Sequence, residues 1–166
     1  MRVPPRDNPP ITEEVTELIA TGVDMYIATR NAALVPESMV AMGVKVHEAG
    51  CSLTAYLPEA LSGPTLANLR DNGQVAITLS RPRDHRTVQI KGTFVSVRRS
   101  TEGEKELQAV FRAALVEQFA GVCGIPRSLT RRIVWWPSLA VEVTVHAVYD
   151  QTPGPNAGEP LARAHS

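Results

Sequence analysis

The chain has 166 residues, of which 43% are hydrophobic and 20% charged, and its 17 basic and 17 acidic side chains cancel to a formal net charge of zero. These values are ordinary for one globular domain with a sizeable core, and the balanced charge argues against nucleic acid as a partner. No apolar run approaches the roughly 18 residues of a membrane span, and the cysteines and histidines are too scattered to predict a disulfide framework or a metal site, which favours a cytoplasmic protein.

The N-terminal half is predicted to combine helices with strands. Residues 1–10 contain four prolines and are expected to form an extended arm. The segment "ITEEVTELIATG" follows as a helix, because Thr12 can cap it, its apolar residues share one face and Gly22 stops it. "GPTLANLRDNG" predicts a second helix of about two turns, with Pro64 in the first turn and an Asn-Gly stop. The predicted strands of this half cover 24–30, 38–47 and 51–57.

The next two strands, "QVAITLS" and "RTVQIKGTFVSV", follow the second helix and are separated by a basic turn. In the longer strand Val88 and Ile90 share one face, whereas Val95 and Val97 share the other. This change of parity around Gly92 predicts a β-bulge or a strong bend.

The C-terminal half is predicted to hold a helix at 101–120, a shorter helix at 125–133 that Ser128 or the preceding turn could cap, and a cleanly alternating strand at 139–148. Long βαβ alternation is missing, so a parallel doubly wound sheet is a poor fit. The pattern favours a mainly β, α+β protein: about six antiparallel strands in a small barrel with peripheral helices. The barrel domain is expected to span 11–158, and 159–166 to form a flexible tail.

The basic turn and the strand after it form a polar strip. Alternate residues of a strand share a face, and the odd positions here carry donor groups: Arg83, His85, Thr87, Gln89 and Lys91. Such a strip suits an anion or a polar heteroaromatic ring. The start of the second helix adds free backbone N–H groups, and Thr65 adds a hydroxyl. A solvated hairpin loop, with Thr65 as an ordinary first-turn residue, is the alternative interpretation.

The order of elements, together with "IATRNAALVPESMVAMGVKV", "TLANLRDNGQVAITLS", "RTVQIKG" and "YDQTPGP", resembles the pyridoxamine 5′-phosphate oxidase-like, FMN-binding split-barrel family over about 11–158. The resemblance implies a six-stranded antiparallel split barrel. It also implies a homodimer that holds FMN in two clefts between its subunits. Met39, Met42, Trp135 and Trp136 are the apolar side chains offered for the dimer interface, and His146 is interpreted as a solvated or interfacial residue.

The resemblance also suggests the residues that contact the cofactor. Thr65 falls on a phosphate-contacting threonine, and Arg86 with Thr87 falls on the Arg-Gln of the family's "RQVRVEG". Where the oxidases carry an Arg-Lys pair this chain has Gly63 and Pro64, so the arginines of the turn are expected to hold the phosphate instead. "SMVAMG", which starts at Ser38, stands in place of a strand that carries cations in the oxidases. The candidate cofactor-binding residues are therefore Thr65, Arg81, Arg83, Arg86, Thr87, Gln89, Lys91 and Ser38.

Three hypotheses follow for the function. The first is an FMN-dependent oxidoreductase that acts on an unidentified small molecule; because the flavin supplies the chemistry, no catalytic side chain is assigned. The second is a non-catalytic module that binds flavin, deazaflavin or haem on the same barrel. The third is a split-barrel dimer without a ligand.

Overall fold

One antiparallel sheet of eight strands organises the computed structural model of this chain, which describes residues 10–47 and 49–163. The strands are β1 Asp24–Arg30, β2 Pro36–Val40, β3 Val44–Val46, β4 Ser52–Pro58, β5 Gln74–Ser80, β6 Thr87–Arg99, β7 Ser138–Asp150 and β8 Pro160–Arg163. The helices are α1 Glu13–Ala20, α2 Gly63–Asn72, α3 Glu102–Val122 and α4 Arg127–Thr130, with a single 3₁₀ turn at Glu59–Leu61. Within the described ranges, no helix combines the length and the apolar character that crossing a bilayer requires.

The strand order makes the sheet curl back on itself. The order is β2-β1-β5-β6-β7-β4-β3, so the two edge strands, β2 and β3, are consecutive in the chain. Only residues 41–43 join them. The amide of Ala41 donates to Met25 of β1, and the amide of Met42 donates to Tyr56 of β4. The hydrogen-bonded ladder is therefore open, and a three-residue crossover bridges its two edges.

The core lies on the inner face of this curled sheet. Alternation along the strands turns β-branched and leucine side chains inward, and the buried apolar residues of α1 and α2 pack into the same core. The most deeply buried core side chains include Ile27, Leu53, Leu57, Ile77, Leu79, Ile90, Val141 and Val143 from the strands, with Val15, Leu18, Ile19 and Leu69 from the helices. The predicted α+β class with a mainly antiparallel sheet is confirmed.

The number of strands differs from the six expected, for two reasons. The predicted strand 38–47 is interrupted at 41–43, where the chain leaves one edge of the sheet for the other, and so becomes β2 and β3. The expected tail 159–166 contributes β8, which pairs with β7. The proposed arm 1–10 lies outside the described residues apart from Pro10, and so does the tail beyond Arg163.

The predicted irregularity of the long strand is confirmed and consists of two separate register shifts between β6 and β7. The first follows Lys91 and leaves His146 as the extra residue on β7. The second follows Phe94 and leaves Val95 as the extra residue on β6. The prediction that Val95 and Val97 share a face is wrong, because the bulged Val95 is 53% exposed while Val97 packs against the core.

Side-chain caps mark the start of two of the described helices, α1 and α3. Thr12 caps α1, and Thr101 forms a reciprocal capping box with Glu104 at the start of α3. Of the two caps considered for α4, Ser128 lies inside the helix, whereas the preceding turn serves as the cap: α4 begins at Arg127 after Pro126, whose carbonyl accepts from the amides of Leu129 and Thr130.

Candidate functional site

The arginines of the basic turn are already engaged by acidic side chains. Arg81 forms a two-pronged pair with Asp84, with its Nη2 2.6 Å from Oδ2, and Arg86 pairs with Glu14 of α1. Arg83 lies 4.0 Å from the same Asp84 carboxylate. The hydrogen bond from Arg81 lowers the pKa of Asp84 to about 2. The charges of the turn are thus compensated within the chain.

The start of α2 lies far from that turn within one chain. Ser62 and Gly63 share a groove with Val97 and Arg99, at the far end of β6. The basic turn precedes the first residue of β6, Thr87, and ten strand residues span roughly 33 Å. One chain therefore does not bring Thr65 together with Arg81, Arg83 or Arg86. Thr65 itself is fully buried, and its Oγ1 has no hydrogen-bond partner among the described residues.

The remaining candidates do share one surface, the outer face of the sheet. Ser38 is exposed and lies directly opposite Ala28 on the neighbouring strand. Gln89 donates to Thr78 across the β5–β6 pair, at 3.4 Å. The Nζ of Lys91 lies 5.2 Å from the centre of the Tyr149 ring.

Thr87 faces the same side of the sheet, but local structure occupies it. Its hydroxyl contacts Ser80 Oγ and the carbonyl of His85, each at 2.8 Å, and its amide donates to Thr152. Thr87 is therefore a structural residue of the hairpin.

Strand register gathers the site from positions that are distant in sequence. Ala28 pairs with Ala76 on β5, and Ala76 pairs with Lys91 on β6, so these three side chains form one row on the outer face. A second row, beside it, holds Arg30, Gln74, Thr93 and His146. Together the rows line a depression of about 480 Å³, which we call the outer depression. Its floor consists of two alanines, and its rim is polar.

The rim of the outer depression carries two cations, Arg30 and Lys91. Arg30 donates to the Gln74 side chain and to the carbonyl of Asn31, and neither Arg30 nor Lys91 has a carboxylate within 4.0 Å in the part of the chain that the structure describes. Thr93 Oγ1 lies 2.7 Å from Nε2 of His146, the extra residue of the β7 bulge. The rim thus offers guanidinium, ammonium, amide, hydroxyl and imidazole groups.

Chemically, this arrangement can hold a flat, polar, anionic molecule. A ring can lie on the alanine floor, and the rim supplies hydrogen-bond donors and positive charge. The sequence predicted Lys91 as a cofactor-binding residue but did not indicate Arg30, Gln74 or Thr93. It led to the interpretation of His146 as a solvated or interfacial residue. The missed signal is cross-strand register, which alternation within one strand does not reveal.

The sequence matches no protein-family model and no curated protein sequence. Solved structures do resemble the chain. A candidate pyridoxamine 5′-phosphate oxidase from Lactobacillus delbrueckii superposes with a TM-score of 0.54 at 16% identity, covering 86% of this chain and 96% of that one. HupZ of Group A Streptococcus gives 0.53 at 19% identity, with 89% and 99% covered. An F420 reductase gives 0.52 at 16% identity, with 83% and 98% covered.

These likenesses extend over more than four fifths of the chain and almost the whole of each solved structure. At such identities they are likenesses of fold, and they agree with the antiparallel, curled sheet described above. The chain has the fold of the pyridoxamine 5′-phosphate oxidase-like proteins.

Proposed function

We propose that this protein binds a flavin-type cofactor, FMN in the first place, in the outer depression, and that it acts as a flavin-dependent oxidoreductase on a small molecule. The observation that carries the proposal is the alanine floor beneath a polar rim, on which Arg30 and Lys91 have no carboxylate partner within the described ranges. Bound FMN would supply hydride or electron transfer, while the protein supplies position and polarity.

The residues of the depression fit each part of FMN. Ala28 and Ala76 leave room for a planar ring against the sheet, where a larger side chain would project into the space. Gln74 and Thr93 offer hydrogen bonds to ring heteroatoms. Arg30 is the residue we assign to the phosphate, because guanidinium groups bind phosphate through two parallel hydrogen bonds.

The names of the structural neighbours favour this class of cofactor. One neighbour is a candidate pyridoxamine 5′-phosphate oxidase and another an F420 reductase. A deazaflavin ring has the same flat shape as a flavin ring, so the deazaflavin is the second candidate for the same depression.

The test is a titration of purified protein with FMN, riboflavin and a deazaflavin, followed by flavin fluorescence and visible absorbance. We expect the wild type to bind FMN at least tenfold more tightly than riboflavin, a difference of about 1.4 kcal/mol. Arg30→Gln should remove that preference and leave riboflavin binding in place. Ala76→Phe should abolish binding of both, because the ring of phenylalanine would occupy the floor while suiting a β-strand.

Arg83→Gln is the matched control, since it removes an exposed arginine of the turn and should leave FMN affinity unchanged. Equal affinity for FMN and riboflavin in the wild type would refute the phosphate assignment. Deazaflavin binding without FMN binding would reassign the cofactor, and binding of neither would favour the ligand-free dimer. Reduction of the bound flavin by a nicotinamide donor, with reoxidation in air, would separate an oxidoreductase from a binding module.

A further inference from the structure

A second cavity, of about 160 Å³, lies between the first half of β1, the 41–43 crossover and the helices α3 and α4. Its walls are mainly apolar and include Met25, Val40, Phe111, Leu115 and Phe119. An apolar protein cavity of roughly 150 Å³ is large enough to bind benzene. The cavity therefore has the size and the lining for a single six-membered ring.

Close packing of α3 against two glycines sets the position of this cavity. A Cβ at Gly43, whose φ is +143°, would lie 2.9 Å from the Phe111 ring, and a Cβ at Gly22, whose φ is +86°, would lie 2.7 Å from the Ala114 carbonyl carbon. Because neither glycine has a side chain, α3 packs closely against the turn at Gly22 and the crossover at Gly43. This backbone packing fixes the position of α3, which forms one wall of the cavity.

The few polar groups of the cavity differ between its two sides. On the sheet side is Asp24, and burial raises the pKa of its carboxyl. On the helix side is Arg112, which lies over the Trp135 ring at 5.5 Å and donates through Nη2 to the carbonyl of Arg131.

Arg112 has donor capacity that the chain does not use. Its buried Nε has no acceptor, and no carboxylate lies within 4.0 Å of the guanidinium among the residues described. Asp24 and Arg112 both line the cavity, yet they do not pair with each other. A guanidinium without a carboxylate partner can bind an anion through charge-assisted hydrogen bonds, so a ligand that brings a carboxylate to Arg112 gains affinity.

We propose that this cavity binds a small aromatic carboxylate, with the ring among the apolar side chains and the carboxylate on Arg112. The apolar lining selects the ring, and the uncompensated guanidinium selects an anion over a neutral or cationic analogue. This binding does not depend on a flavin.

The position of the cavity links it to the outer depression. Tyr26 lines the cavity, and Ala28, two residues further along the same face of β1, forms the floor of the depression. Residues i and i+2 of a strand are about 7 Å apart. If the proposed function holds, an aromatic carboxylate in the cavity would lie beside the flavin ring, in the position of a substrate.

The experiment is a ligand-observed NMR titration of the full chain, free of flavin, with benzoate, benzyl alcohol and benzylamine. We expect benzoate to bind at least tenfold more tightly than either benzyl alcohol or benzylamine. Arg112→Met should bring benzoate down to the affinity of benzyl alcohol, whereas Arg112→Lys should keep part of the preference. Leu115→Phe should weaken all three probes, because the larger ring fills the cavity.

Arg132→Met is the matched control, since Arg132 is an exposed arginine of the same region and does not line the cavity. Circular dichroism of each variant identifies misfolding, and Arg112→Lys retains the side-chain volume if Arg112→Met unfolds. Equal affinity for benzoate and benzyl alcohol, or a benzoate preference that survives Arg112→Met, would overturn the proposal. The benzoate titration uses protein without flavin, so its result does not depend on whether the protein binds FMN. Likewise, the FMN titration does not depend on whether benzoate binds, and each proposal can be refuted without the other.

Discussion

Gly92 shows how a single residue can be required by space alone. It lies in β6 beside the first bulge, and its backbone does not need a positive φ. A Cβ at this position would lie 2.4 Å from the carbonyl oxygen of Thr144 and 2.5 Å from Cγ1 of Val143. The close approach of β6 and β7 therefore depends on the missing side chain.

We predict that Gly92→Ala destabilises the fold by about 1–3 kcal/mol, because the backbone of β7 must move to admit a methyl group. Urea denaturation monitored by circular dichroism measures the effect. Gly103→Ala is the control: a Cβ there would meet no atom of the described residues within 4 Å, and in a helix alanine is favoured over glycine by up to about 1 kcal/mol. If Gly92→Ala has the same free energy of unfolding as wild type, the β7 backbone can move to admit the methyl group without loss of stability, and the prediction is wrong.

At the scale of elements, the start of α3 is tied to the sheet through Glu104. Arg98 of β6 donates twice to its carboxylate, at 2.7 and 2.8 Å, and the buried Tyr56 of β4 donates at 3.3 Å. The amide of Thr101 donates to the same carboxylate and completes the capping box. One side chain thus joins a helix cap to two strands. The hydrogen bonds from Arg98 lower the pKa of Glu104 to about 2, from an ordinary value of 4.5.

The lowered pKa sets the direction of a pH dependence. Because the folded protein holds Glu104 ionised more strongly than the unfolded chain does, this interaction stabilises the fold fully above about pH 4.5 and is lost as the pH falls towards 2. Glu104→Gln should lower the free energy of unfolding at pH 7 by about 1–3 kcal/mol and flatten its decline between pH 5 and 2. Denaturant titrations across that range measure both effects.

Glu102→Gln is the matched control for this prediction. Glu102 lies in the same first turn of α3, but its side chain is 79% exposed and pairs with Lys105. Exposed pairs contribute little, so this change should stay within about 0.5 kcal/mol. A similar loss from both variants would mean that helix-end charge, rather than the link to Arg98 and Tyr56, accounts for the effect.

At the scale of the whole molecule, the outer depression is open on one side. A bound cofactor is usually buried over most of its surface, so a second copy of the chain is the expected cover, as the family resemblance also implies. The apolar side chains first offered for that contact need revision. Met42 is 8% exposed and Met39 packs against the core, so both are used within one chain. Tyr26, 41% exposed on the outer face, is the better candidate.

We predict a homodimer, with twice the 18.0 kDa mass of one chain in light scattering at micromolar concentration. Tyr26→Glu should weaken the dimer, because it places a charge in the proposed contact. Arg99→Glu, which reverses the charge at an 80% exposed side chain at the far end of β6, should leave it unchanged. A wild-type mass of one chain across that concentration range would remove the dimer.

The sequence alone determined most of the elements, because their signals are local. β1 and β5 have the predicted bounds, and α2 ends at the Asn-Gly stop with Gly73 in the left-handed conformation that glycine favours. Thr12 caps α1 as predicted. Periodicity, capping and turn chemistry act over a few residues, so they can be inferred without knowing what packs against them.

The tertiary structure decided the site. Whether Arg86 was free to bind an anion depended on Glu14, which is 72 residues away, and only the fold brings that carboxylate to it. Strand order also separates Thr65 from the basic turn. Register across β1, β5 and β6 places Arg30 and Lys91 on the rim of the same depression. A partner carboxylate or a neighbouring strand carries no local signal in the chain, because charge compensation and cross-strand contact are properties of distance in space.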